Sequence, residues 1–129
     1  MKSNVFWHDV FAEFLKEYNV KVEVTKYSLR DLSAYYQKRE HFNVANEIEE
    51  RLETGIYPPP DGDAGHLEAP DQMYGKIKNR RTGLRIIYYP YFAEGVDHLR
   101  IIVAGPRENN TVYKLLTERL KKYGRPEKE

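Results

Sequence analysis

The chain of 129 residues carries 21 Lys/Arg against 20 Asp/Glu, is 40% hydrophobic and contains no cysteine. That length suits one domain with a single modest core. The missing cysteines exclude disulfides, a cysteine nucleophile and the common zinc frameworks. No apolar run is long enough to span a bilayer and no basic-then-apolar leader opens the chain, so the expected compartment is the cytoplasm, with no membrane partner. The net charge of +1 hides an asymmetry: residues 1–70 hold 8 Lys/Arg and 13 Asp/Glu, whereas residues 71–129 hold 13 and 7. Either the C-terminal half faces a polyanion or the two halves neutralise each other in the fold.

In chain order, residues 5–18 place Trp7, Val10, Phe11, Phe14, Leu15 and Tyr18 at helical spacing behind a candidate cap at Ser3 or Asn4. Residues 1–19 read as a helical N-terminal extension. Residues 20–26, VKVEVTK, alternate and read as a strand. Ser28-Leu29-Arg30-Asp31 resembles a capping box that opens a helix, and a break near His41 to Asn43 starts a second one. There Val44, Ile48 and Leu52 sit four apart and Gly55 is the natural stop. The two helices form a hairpin.

Residues 56–72, with four prolines, two glycines and four acids, form a loop. Three strands follow. Residues 73–78 alternate. Residues 84–92 are apolar on both faces, which predicts a central strand until Pro90 interrupts its pairing. Residues 98–105 form the third, after a turn at Glu94-Gly95. Tyr88, Tyr89 and Tyr91 read as core or sheet-face residues. Asn109 or Asn110 then caps a final helix carrying Val112, Leu115, Leu116 and Leu120. The expected fold class is α+β, a helical hairpin packed on a small antiparallel sheet, with one extra helix at each end. Residues 20–125 make the domain and 126–129 a tail.

Lys76, Lys78, Arg80, Arg81 and Arg85 fall within ten residues, and Arg107 follows the next strand. Alternation puts Lys76 and Lys78 on one strand face, about 7 Å apart, with Ile77 opposite. Two ammonium groups held so close call for an anion. Metal-free RNA cleavage needs a deprotonated 2′-hydroxyl, stabilisation of the extra negative charge at phosphorus, and protonation of the leaving 5′-oxygen. Clustered Lys and Arg answer the second need as preorganised donors, and arginine adds a planar fork for two phosphate oxygens. A lysine crowded by cations has its pKa pushed down towards proton-transfer use. Tyr113, in the first turn of the last helix, can stack on a base. A solvated basic face and a noncatalytic nucleic-acid face remain open on these residues alone. The four histidines are scattered without metal spacing and are not taken as catalytic, His98 being the best placed of them.

The order YGKIKNRRTGLRIIYYP, then LRIIVAGPRENNTVY, resembles the C-terminal half of the RelE family of toxin ribonucleases, the messenger-RNA-cleaving branch of the RelE/ParE superfamily. The family reads as a K-x-K strand, a turn ending Gly-x-Arg, an apolar strand, another strand, Gly-x-Arg and a tyrosine six residues on. Lys76, Lys78, Arg85, Arg107 and Tyr113 fall on those positions, and residues 70–122 carry the match. The resemblance implies a type II toxin–antitoxin toxin that cuts mRNA in the ribosomal A site by 2′-hydroxyl attack. It implies no metal and no cofactor, with mRNA, the ribosome and a small antitoxin as partners. Lys76 or Lys78 would serve as base or stabilise the activated hydroxyl. Arg85 would stabilise the transition state, Arg107 would act at the leaving side and Tyr113 would orient the nucleotide. Arg80, Arg81 and Lys114 would contact RNA phosphates. The departures are the near-neutral charge, the first twenty residues, the acidic loop at 61–71, and Gly75 where an aromatic residue would be unsurprising. They leave a noncatalytic RelE-fold regulator of phage or mobile-element origin, or a ParE-like gyrase inhibitor, as alternatives.

Overall fold

A short polar box starts the first helix of the hairpin, one turn earlier than the sequence suggested. Thr25 accepts a hydrogen bond from the Ser28 backbone N–H (3.1 Å), and the Ser28 hydroxyl accepts one from the Thr25 N–H (2.8 Å). Ser28 is therefore the third residue of the helix and Thr25 its cap. The chain is seen here in a computed structural model that describes residues 2–124; the tail expected at 126–129 lies outside the described residues. Its elements are α1 (Lys2–Tyr18), β1 (Val20–Val24), α2 (Lys26–Gln37), α3 (His41–Thr54), β2 (Gly75–Lys78), β3 (Leu84–Ala93), β4 (Val96–Pro106), a 3-10 turn (Glu108–Asn110) and α4 (Thr111–Tyr123). Gly55 ends α3 as its spacing predicted, its N–H bonded to the Arg51 carbonyl. No helix among the described residues is long and apolar enough to cross a membrane.

The strands form one sheet in the order β1-β4-β3-β2. β2, β3 and β4 run antiparallel as consecutive hairpins, but β1 lies parallel to β4. The sheet is thus mixed rather than antiparallel. A parallel partner needs a long crossover, and the helical hairpin, the loop and the other strands supply it. Pro90 does not end β3, which stays paired with β4 to Ala93; pairing with β2 goes no further than Tyr88.

Both faces of the sheet are covered at its centre, which is why β3 is apolar on both faces from Ile86 to Tyr88. On one face Trp7 and Phe14 of α1, Leu32 of α2, and Val44, Ile48 and Leu52 of α3 pack on Ile86, Tyr88, Leu99 and Ile101. On the other, Val112 and Leu116 of α4 join Leu67 and Tyr74 from the loop over Ile87, Ile102 and Val103. A bulge opposite Ile87 and Tyr88 turns two successive β4 residues, Ile102 and Val103, into the same cluster.

Beyond Ile101, β4 has no strand on its β1 side among the described residues. Asp31 of α2 fills that role by accepting the Ala104 N–H (3.0 Å). Arg119 of α4 donates to both carboxylate oxygens of Asp31 (2.7 and 3.0 Å) and to the Ile102 carbonyl (2.8 Å). One ion pair therefore substitutes for a missing strand and ties the layers on the two faces together.

Candidate active site

β2 is four residues long, and its register decides the site. Lys76 pairs with Ile87 and Lys78 with Arg85, so both lysines and Arg85 share the face on which α4 packs. Ile77 points the other way into the core. Gly75 pairs with Tyr88, and a Cβ at position 75 would land in the Tyr88 ring. The aromatic side chain that the sequence lacks at position 75 is supplied from the neighbouring strand, and its hydroxyl donates to the Ile56 carbonyl (2.8 Å).

The β2–β3 turn is built around Asn79. Its side-chain oxygen accepts the N–H groups of Arg81 and Thr82 (3.0 and 3.1 Å), its carbonyl accepts Gly83 N–H (2.8 Å), and Gly83 takes the left-handed conformation that closes the loop. Arg80 and Arg81 stand exposed at its tip.

Arg85 departs from the expected picture. Only 8% of it is exposed, and its Nη1 donates to the carbonyls of Leu84 (2.9 Å) and Asn79 (3.3 Å). It braces the turn from beneath. Arg107 is exposed, and its backbone N–H bonds Gly83 O (2.8 Å), stitching the end of β4 to the same turn.

Tyr113 is half-buried and shares a hollow of about 450 Å³ with Lys76, Asn110, Glu68 and Asp71. Asn110 precedes α4 in a left-handed conformation, without the side-chain cap the sequence suggested. A second hollow, of about 460 Å³, lies round the outer edge of β2 and is lined by Arg51, Asp63, His66, Lys76 and Lys78. Arg107 and Lys114 line neither hollow.

Lys78 stands among other cations. The Lys78 ammonium is held below the ordinary lysine range, chiefly by Arg80 and then Lys76, with partial desolvation and Arg85 adding to the effect. The ion pairs seen among the described residues, Glu13–Lys16, Glu23–His98, Glu23–Arg100 and Asp31–Arg119, include none of these cations.

Two features escaped the sequence. Arg51 of α3 donates to the Lys76 carbonyl (3.0 Å), and residues 65–67 run along the free edge of β2, with Lys76 N–H on Gly65 O (2.8 Å) and His66 bridging Gly75. A local pattern carries no sign of these contacts, because the partners lie far apart along the chain with no periodicity between them. The loop also brings Asp63, Glu68 and Asp71 to the rims of the two hollows, so the acidic and basic halves of the chain do meet here.

No family profile and no curated protein matches the sequence. The fold is similar to that of a solved structure of the E. coli toxin RelE, a doubly substituted mutant in the free state, at 24% identity and a TM-score of 0.52, over 77% of this chain and 95% of that one. The chain thus has a RelE-like α+β fold.

Proposed function

We propose that this chain is the toxin of a type II toxin–antitoxin pair, an endoribonuclease that cuts mRNA in the ribosomal A site. The reading is carried by one observation: Lys76, Lys78 and Arg85 share a sheet face, and the lysines there form no ion pair among the described residues. The RelE-like fold and the sequence order around these residues support it. In this mechanism Lys76 steadies the activated 2′-hydroxyl beside Tyr113, which orients the nucleotide. Lys78, whose crowding favours the neutral amine, takes the 2′-hydroxyl proton, and the leaving 5′-oxygen is protonated by water. Arg85 adds its charge from beneath while holding the turn, and Arg107 neutralises the leaving side. Arg80, Arg81 and Lys114 hold flanking phosphates. The partners are mRNA on the ribosome and a small antitoxin, and the compartment is the cytoplasm.

The test is a purified translation system with mapped mRNA ends. Wild type gives A-site cuts, and Arg107→Ala, which lies outside both core clusters, lowers their rate by about 10²–10³. No cuts by wild type, or equal cutting by the variant, rejects the reading. Glu68 and Asp71 beside Lys76 favour one rival, a RelE-fold protein that binds a partner without cleaving. Saturable binding with intact message would establish it.

A further inference from the structure

The edge of β2 carries more positive charge than the lysine face alone. By strand alternation His66, paired with Gly75, sits on the α3 side of the sheet, opposite Lys76 and Lys78. Arg51 lies on that side as well, close enough to Tyr88 to affect its hydroxyl, and reaches round the strand edge to the Lys76 carbonyl. The hollow of about 460 Å³ joins the two sides. Arg51, Lys76, Lys78 and His66 line it against one carboxylate, Asp63. Arg51 spends Nη2 on the Lys76 carbonyl, and its Nε is buried without a partner, so the fork is anchored but not saturated.

We propose that this hollow is a second phosphate subsite, taking the phosphodiester next to the scissile one, with Arg51 as its anion-binding group. The inference rests on the RNA-cleaving reading above and deepens it by giving the substrate strand a path round the β2 edge, from the α4 side to the α3 side. This hollow carries one carboxylate, Asp63, whereas the hollow that holds Tyr113 is lined by two, Glu68 and Asp71. Neighbouring phosphates of a single strand lie about one Lys76–Lys78 spacing apart, roughly 7 Å, so the lysines can pass the backbone from one site to the next. His66 forms the far wall; its Nδ1 lies 2.8 Å from the Leu67 carbonyl, which can only accept, so that nitrogen carries a proton.

The experiment uses the full chain and short RNAs carrying a 2′-deoxy substitution at the cleaved position, in pairs with and without one terminal phosphate beyond it. In wild type the added phosphate tightens binding about tenfold, the worth of one charge-assisted contact. In Arg51→Gln that gain collapses towards one, and the salt dependence of binding falls by about 0.7 in log–log slope. Arg51→Lys keeps part of the gain. The gain is read on uncleavable RNA, so it is separate from any change in turnover. An undiminished phosphate gain in Arg51→Gln overturns the subsite while leaving the nuclease reading intact. So does a variant that loses turnover but keeps the gain, since Arg51 would then only position Lys76. Wild type that binds neither RNA also overturns the subsite, while the nuclease reading is decided separately by the A-site cuts.

Discussion

The two ends of one sheet face treat their cations in opposite ways. At the β1 end, Arg100 is within 3.7 Å of Glu23, donates to the Tyr91 hydroxyl (3.1 Å) and stacks its guanidinium over the Tyr91 ring. His98 lies against Glu23 and stacks on Tyr91. At the β2 end, Lys76, Lys78 and Arg80 have no carboxylate in ion-pair reach among the described residues, and Lys78 responds with a lowered pKa. A basic residue on a sheet is therefore no signal in itself. What separates structure from site is whether the fold supplies the counter-charge.

The widest gap should open between two single substitutions. Lys78→Ala lowers RNA cleavage by about 10²–10³ and leaves the melting temperature in place. Arg100→Ala leaves cleavage in place and lowers the melting temperature, since it strips a paired cation from Glu23. Matching kinetic losses in the two variants would erase the distinction. The contrast extends to the other paired cation. Asp31→Ala strands Arg119 and the Ala104 N–H, and should cost about 3 kcal/mol in denaturant unfolding. A cost within error of zero would mean that water replaces the carboxylate. Gly75→Ala forces a methyl into the Tyr88 ring beside the lysines and should cost about 1–3 kcal/mol. A structure in which Tyr88 simply swings away would remove that expectation.

The smallest effect is a pH dependence. Burial pushes the Tyr88 hydroxyl up to about 12 from its ordinary value of 10.0, the nearby Arg51 opposing it. With the folded pKa raised, the unfolded chain loses this proton first. The associated stability is present below pH 10 and is lost as pH rises from 10 towards 12. Tyr88→Phe should cost about 1 kcal/mol near neutrality, for the lost bond to Ile56, and should flatten that alkaline decline. An unchanged alkaline slope in the variant would assign the decline to other groups.

Much of this was readable in order along the chain. The spacing of Val44, Ile48 and Leu52 marked the buried face of α3, and the doubly apolar run of β3 marked a central strand. The K-x-K alternation put both lysines on one face, as the register shows. The start of α2 was misplaced because Ser28 suits a cap and the third helical position equally well, and only the reciprocal bonds with Thr25 decide between them. Arg85 read as a free cation because its consumers are backbone carbonyls, which every residue has and no sequence pattern distinguishes.

Taken alone, the amino-acid order determined the elements and the face on which each side chain falls, because helical and strand periodicities are local. It also determined which residues bear positive charge. Only the tertiary structure decided that β1 runs parallel to β4, that Arg85 lies beneath the turn, and that Arg51 and the 63–71 loop close on the lysines. Those contacts join segments whose meeting depends on how both faces of the sheet are buried together, and burial is a property of the packed whole.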